Sequence, residues 1–141
     1  MSETDAVRGY LLAEHEDLLR VAGDCADAVA AGWDGSSTTE RSAVAGPLEA
    51  TLRRAGVLAQ LPTVLAGAVD AAGGRLRAQP VSAPPYVVVT STGPVLRATL
   101  DSGRLVVSIR LFDVERGEAG EPNRYVRTSG AVDDAVSVEF R

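Results

Sequence analysis

Apolar and polar residues follow two different periods along this chain, and the change falls near Arg75. From Thr4 to Ala31, the residues Val7, Leu11, Leu18, Ala22, Cys25 and Val29 recur at helical spacings. That repeat predicts one long helix with a narrow apolar stripe. Thr4 or Ser2 can cap it, and Asp5 sits in the positively polarised first turn. Gly32 to Ser37 (GWDGSS) breaks it by composition. A second helix is expected from near Ser37, whose spacing to Glu40 fits a capping box, with Val44, Leu48 and Leu52 as its apolar face. Gly46-Pro47 should kink or split that helix, and Arg53-Arg54 before Gly56 should end it. A third helix is expected from about Pro62 to Gly73-Gly74, lined by Val64, Leu65, Ala68 and Val69.

Beyond Arg75 the period is two. Pro80, Pro84 and Pro85 mark an extended linker. Strands are expected at Tyr86 to Thr90, Val95 to Leu100 and Arg104 to about Asp113, joined by tight turns at 91–94 and 101–103. Tyr125 to Thr128 and Ala135 to Arg141 read as two further short strands, after a charged loop from Glu115 to Pro122. The fold class predicted is α+β, with N-terminal helices packed on a C-terminal antiparallel β-meander of four to five strands. Neither part can bury its apolar face alone. The expected organisation is one domain over residues 1–141, helical to about 74 and β from about 81.

Composition narrows the chemistry. All 14 positive charges are Arg, and no Lys occurs. P-loop ATPases, protein kinases and Schiff-base enzymes each need a Lys, so these classes are excluded. One His (His15) and one Cys (Cys25) cannot assemble a Cys/His zinc set or an internal disulfide. The 19 acidic residues give a net charge of -5, which disfavours nucleic acid and anionic membranes as partners. No apolar run is long enough to span a bilayer, and the start MSETDAV is acidic, so the expected location is cytoplasmic.

The segment Ala83-Pro84-Pro85-Tyr86 running into VVVTSTGPVLRATL is similar to segments of small uncharacterised haloarchaeal proteins. Abundant Ala, Val and Arg beside a single Ile (Ile109) and a single Asn (Asn123) point the same way, or else to an actinobacterial source. The resemblance implies no known activity and transfers no residue role.

Candidate chemistry is sparse. A His15/Cys25 dyad is opposed by geometry, since ten residues of helix separate the two by about 15 Å on faces about 80° apart. Glu14, Asp17 and Asp24 lie on one helix, and Glu115, Glu118 and Glu121 are too loosely spaced for a calcium loop, so no metal and no organic cofactor is expected. Trp33 is a loop indole suited to an interface or to folding over the core. The most informative polar feature is the sheet. If Leu96, Ala98, Leu100, Leu105, Val107 and Ile109 face inward, then Arg97, Thr99, Arg104, Ser108 and Arg110 share the outer face.

These readings favour a small non-enzymatic protein-association domain, with a second copy of itself among its candidate partners. The final strand AVSVEFR, which has no Pro and only Glu139 and Arg141 to guard it, and the narrow stripe of the first helix are the surfaces expected to pair, as a homodimer. One alternative is an anion or small-molecule binding domain using the Arg-bearing sheet face. Another is a winged-helix-like DNA binder, weakened because PTVLAGAVDAA carries no base-reading side chain. A pocket lined by Arg97, Arg110 and a hydroxyl favours ligand binding. A flat face with Val95 and Val106 exposed favours association.

Overall fold

A computed structural model describes residues 2–128 and 131–141. The first helix, α1 (Glu3–Glu14), is capped by Ser2, whose Oγ accepts from the Asp5 N–H at 3.2 Å. It stops at His15 (φ -128°, ψ 25°), and α2 (Glu16–Ala31) starts directly after. The single helix expected over 4–31 is therefore two. The reason lies in what each half buries. Val7 and Leu11 of α1 pack toward the sheet and the last helix, whereas the face of α2 turns to a different helix. One straight stripe cannot serve both.

Ser37 does not cap a helix. Ser37–Thr38 form β1, a two-residue strand, and a 3-10 turn at Arg41–Ala43 leads to α3 (Ala45–Arg54). Gly46-Pro47 neither kinks nor splits α3, because Pro47 lies in its first turn, where an N–H has no helical partner to lose. Arg53 and Arg54 end α3 as expected, and Gly56 (φ 80°) reverses the chain.

The last helix, α4 (Val57–Ala71), starts five residues before Pro62 and runs through it. An interior proline costs about 3 kcal/mol. Extending the helix backward buries Val57, Leu58 and Leu61, each contributing about 1.5–3 kcal/mol, so burial wins. Tyr10 of α1 lies across Gly67, where a Cβ would stand 1.7 Å from the phenol oxygen.

The strands fall into two sheets. Strands β2 (Val87–Val89), β3 (Pro94–Leu100), β4 (Gly103–Ile109) and β7 (Val136–Phe140) make an antiparallel sheet in the order β2-β3-β4-β7. The smaller sheet, in the order β1-β6-β5, joins β1 to β5 (Phe112–Glu115) and β6 (Arg124–Arg127). A strand running unbroken from 104 to 113 is thus corrected to two strands in different sheets. Ile109 is the last β4 residue in register with β7, whereas Phe112 pairs with Arg127 of β6. The chain turns a corner around the Thr92 carbonyl, which accepts from both Leu111 N–H (2.7 Å) and Phe112 N–H (3.0 Å). Gly93 permits this approach, since a Cβ there would lie 1.9 Å from the Ile109 oxygen.

Helix α4 lies on β3, α1 on β7 and α3 on β2, so helices cover the inner face of the larger sheet. A continuous buried core runs through both parts of the chain, from Val7 to Val136. Trp33 folds onto it, its ring 5.5 Å from Phe112 and its Nε1 donating to the Ala43 carbonyl at 3.0 Å. The architecture is α+β, as the change of period predicts.

Candidate functional site

The outer face of the larger sheet is set by the β3–β4 hairpin. Its register pairs Val95 with Ser108, Arg97 with Val106 and Thr99 with Arg104. Alternation then sends Leu96, Ala98, Leu100, Leu105, Val107 and Ile109 into the core and leaves Arg97, Thr99 and Arg104 exposed. Val106 lies on this outer face yet is only 7% exposed, outside the main core cluster.

Arg97, Thr99 and Arg104 line one cleft of about 280 Å³. The linker that follows α4 supplies a second wall through Leu76, Arg77 and Ala78, and the approach to β2 supplies a third through Pro85 and Tyr86. Backbone pairing fixes the walls to each other, because the Arg97 N–H donates to the Tyr86 carbonyl at 2.8 Å. Arg77 reaches Asp101 at 2.7 Å. Glu139, the nearest sequence candidate for a cross-strand partner, faces Val106 and binds Arg141 at 2.6 Å instead. Among the described residues, Arg97 and Arg104 have no carboxylate within salt-bridge distance.

The other two residues predicted for this face lie outside the cleft. Ser108 is half-buried between Val95 and Ser137 and does not line the cleft. Arg110 stands past the end of β4, where its backbone N–H donates to the Ala135 carbonyl. Its side chain borders a separate cleft of about 330 Å³ with Asp24, Asp27, Asp113 and Asp134. There the Arg127 guanidinium is held by several partners. It binds Asp27 at 2.9 Å, the Leu111, Thr128 and Gly23 carbonyls, and the Thr128 hydroxyl. That network ties β6 to α2.

Sequence reasoning missed Arg77 and Tyr86 as parts of one site. The signal for Arg77 is the alternation Arg75-Leu76-Arg77, an extended segment with its Leu inward. Leu76 does pack against the core. Tyr86 carried no such signal, because only the fold places the linker across the strand ends.

His15 and Cys25 are not brought together. The His15 Nε2 is 2.8 Å from the Tyr10 hydroxyl, with the rings edge to face. Burial first, then the charges of Glu14 and Asp70, raise the Tyr10 phenol above its ordinary value. Cys25 is 5% exposed and points at the Thr51 carbonyl on α3. Burial, with Asp24 adding, raises its thiol pKa against a smaller opposing effect of Arg54. A buried protonated thiol is a poor nucleophile. Among the described residues no cluster of three His, Cys, Asp or Glu could hold a metal ion, and no helix is long and apolar enough to cross a membrane.

A family model described as "Domain of unknown function (DUF7988)" matches residues 5–141. No curated protein and no solved structure matches the chain.

Proposed function

We propose that this chain, which belongs to the family described as Domain of unknown function (DUF7988), is a non-enzymatic domain that binds an anion in the cleft of Arg97, Thr99 and Arg104. One observation carries the reading. In a chain with 19 acidic residues and 14 Arg, two guanidinium groups stand on adjacent strands beside a hydroxyl, with no carboxylate in reach among the described residues. Charge-assisted hydrogen bonds to an oxyanion are the interactions such groups make best. The test is a titration with inorganic phosphate followed by amide chemical shifts. Shifts should be confined to the β3–β4 hairpin and the Tyr86 approach, and Arg97→Gln with Arg104→Gln should abolish them. Equal shifts in the double variant would overturn the proposal.

A second reading, self-association, rests on the outer edge of β7. Arg104 and Arg141 exchange both main-chain bonds, at 2.7 and 2.8 Å. By antiparallel alternation, Ser137 and Glu139 bond toward β4, while Val136, Val138 and Phe140 turn their amides and carbonyls outward. Arg8 of α1 caps the Val136 carbonyl. Val138 and Phe140 are left as a short pairing edge, and open edges invite a second copy. Light scattering decides this, because a mass of 14.6 kDa at high micromolar concentration would remove the second reading. The acidic balance and the near absence of Ile, Asn and Lys support a haloarchaeal cytoplasmic origin.

A further inference from the structure

We infer that the cleft's ligand is a small phosphate monoester carrying a planar apolar group, with the phosphate on Arg97, Arg104 and Thr99 and the organic part on Tyr86. The inference rests on the anion-binding reading and names its ligand class. Three features select it.

The first is charge. Arg77 is offset by Asp101, and Arg141 by Glu139. Arg97 and Arg104 therefore present two uncompensated positive charges. A phosphate monoester carries about -1.5 to -2 near neutral pH and balances both, whereas a carboxylate leaves one unpaired.

The second is the number and placement of donors. Arg97 and Arg104 are diagonal neighbours across the hairpin, and Thr99 stands directly opposite Arg104. Diagonal positions in a sheet lie about 7–8 Å apart, within reach of long side chains converging on one group. Two guanidinium forks and a hydroxyl match three terminal phosphate oxygens better than two carboxylate oxygens. The strands that carry the donors are already paired, so binding has to order side chains and not backbone.

The third is the remaining wall. Leu76 and Tyr86 are half-buried, packed on the core from beneath and facing the cleft from above. A bare phosphate would leave that apolar surface wet. At about 280 Å³ the cleft is slightly smaller than the usual small-molecule pocket of about 300–1,000 Å³. A compact ring stacked on Tyr86 suits it. A nucleic acid strand does not, given the net charge of -5.

Calorimetry on the full chain at fixed ionic strength, with phenyl phosphate, inorganic phosphate and benzoate as probes, tests the inference. Phenyl phosphate should bind about tenfold more tightly than either other probe, the worth of one buried aromatic contact. Tyr86→Leu keeps an apolar side chain on the core and should bring phenyl phosphate down to the level of inorganic phosphate. Thermal melts of Tyr86→Leu establish that it is folded. Equal binding of phenyl and inorganic phosphate to the unaltered chain would overturn the inference and leave the anion site standing. Tighter binding of benzoate would overturn it in favour of a carboxylate ligand. Tighter binding of a phosphotyrosine peptide than of phenyl phosphate would overturn it in favour of a modified protein partner. Failure of every probe to bind would remove the anion site as well.

Discussion

The Ser82 hydroxyl donates to the Leu58 carbonyl at 2.6 Å, and Leu58 is the acceptor that Pro62 deprives of its helical donor. A proline at position i leaves the carbonyl at i−4 without a partner. Here the linker after α4 folds back and supplies one from outside the helix. The contact also anchors the linker just before Pro85 and Tyr86, which wall the cleft.

Removing that hydroxyl should therefore matter only while Pro62 is present. Ser82→Ala is expected to cost about 1 kcal/mol in the unaltered chain, the net worth of a hydrogen bond. In a Pro62→Ala background the helix supplies its own donor, and the same change should cost close to nothing. Urea melts of the four proteins form a double-mutant cycle. Equal costs in both backgrounds would show that the two residues act independently.

Gly67→Ala should be destabilising although Ala is the better helix former. Its Cβ would meet the Tyr10 phenol at 1.7 Å, and displacing that ring breaks its bond to His15. Overpacking of this kind costs about 1–3 kcal/mol. The change should also be non-additive with Tyr10→Phe, because both remove the same hydrogen bond. A melt showing stabilisation would contradict the packing described.

Cys25 should be silent toward thiol reagents in the folded protein at neutral pH and react fully in guanidinium. Burial raises the pKa of Cys25 and that of Tyr10 above their ordinary values, so each group keeps its proton longer folded than unfolded. By linkage, stability is full below the unfolded values and declines as pH rises through the folded ones. Denaturant midpoints should fall on the alkaline side of about pH 9. A flat alkaline profile would argue that neither group is desolvated.

Salt should stabilise the protein. The acidic excess repels itself in dilute buffer, and counterions screen that repulsion. Melting temperature is expected to rise from dilute buffer to concentrated KCl. A constant or falling value would count against adaptation to a saline cytoplasm.

The residues that were legible in sequence are those governed by local periodicity. Leu105, Val107 and Ile109 alternate, so β4 and its inward face could be read directly. Arg53, Arg54 and Gly56 mark a helix end for reasons confined to that end. What escaped depends on distant partners. The break at His15 follows from α1 and α2 meeting different elements. The helix through Pro62 needs Ser82, which lies in a linker of no predicted structure. Arg97, Thr99 and Arg104 were placed together because one hairpin carries them. Arg110 is parted from them because it lies beyond the end of β4, where it borders the second cleft.

The strand Ser37–Thr38 has a consequence for how the protein is made. Its partner residues, Val126 and Tyr125, lie near the far end of the chain. During synthesis the four helices emerge before any strand of the larger sheet. The smaller sheet must wait, and so must the Trp33 ring that later rests on Phe112. Closing so distant a pair is entropically slow. A ribosome that stalls within the final strands would hold helices with their sheet-facing sides and the Trp33 indole uncovered, a species for chaperones to shield.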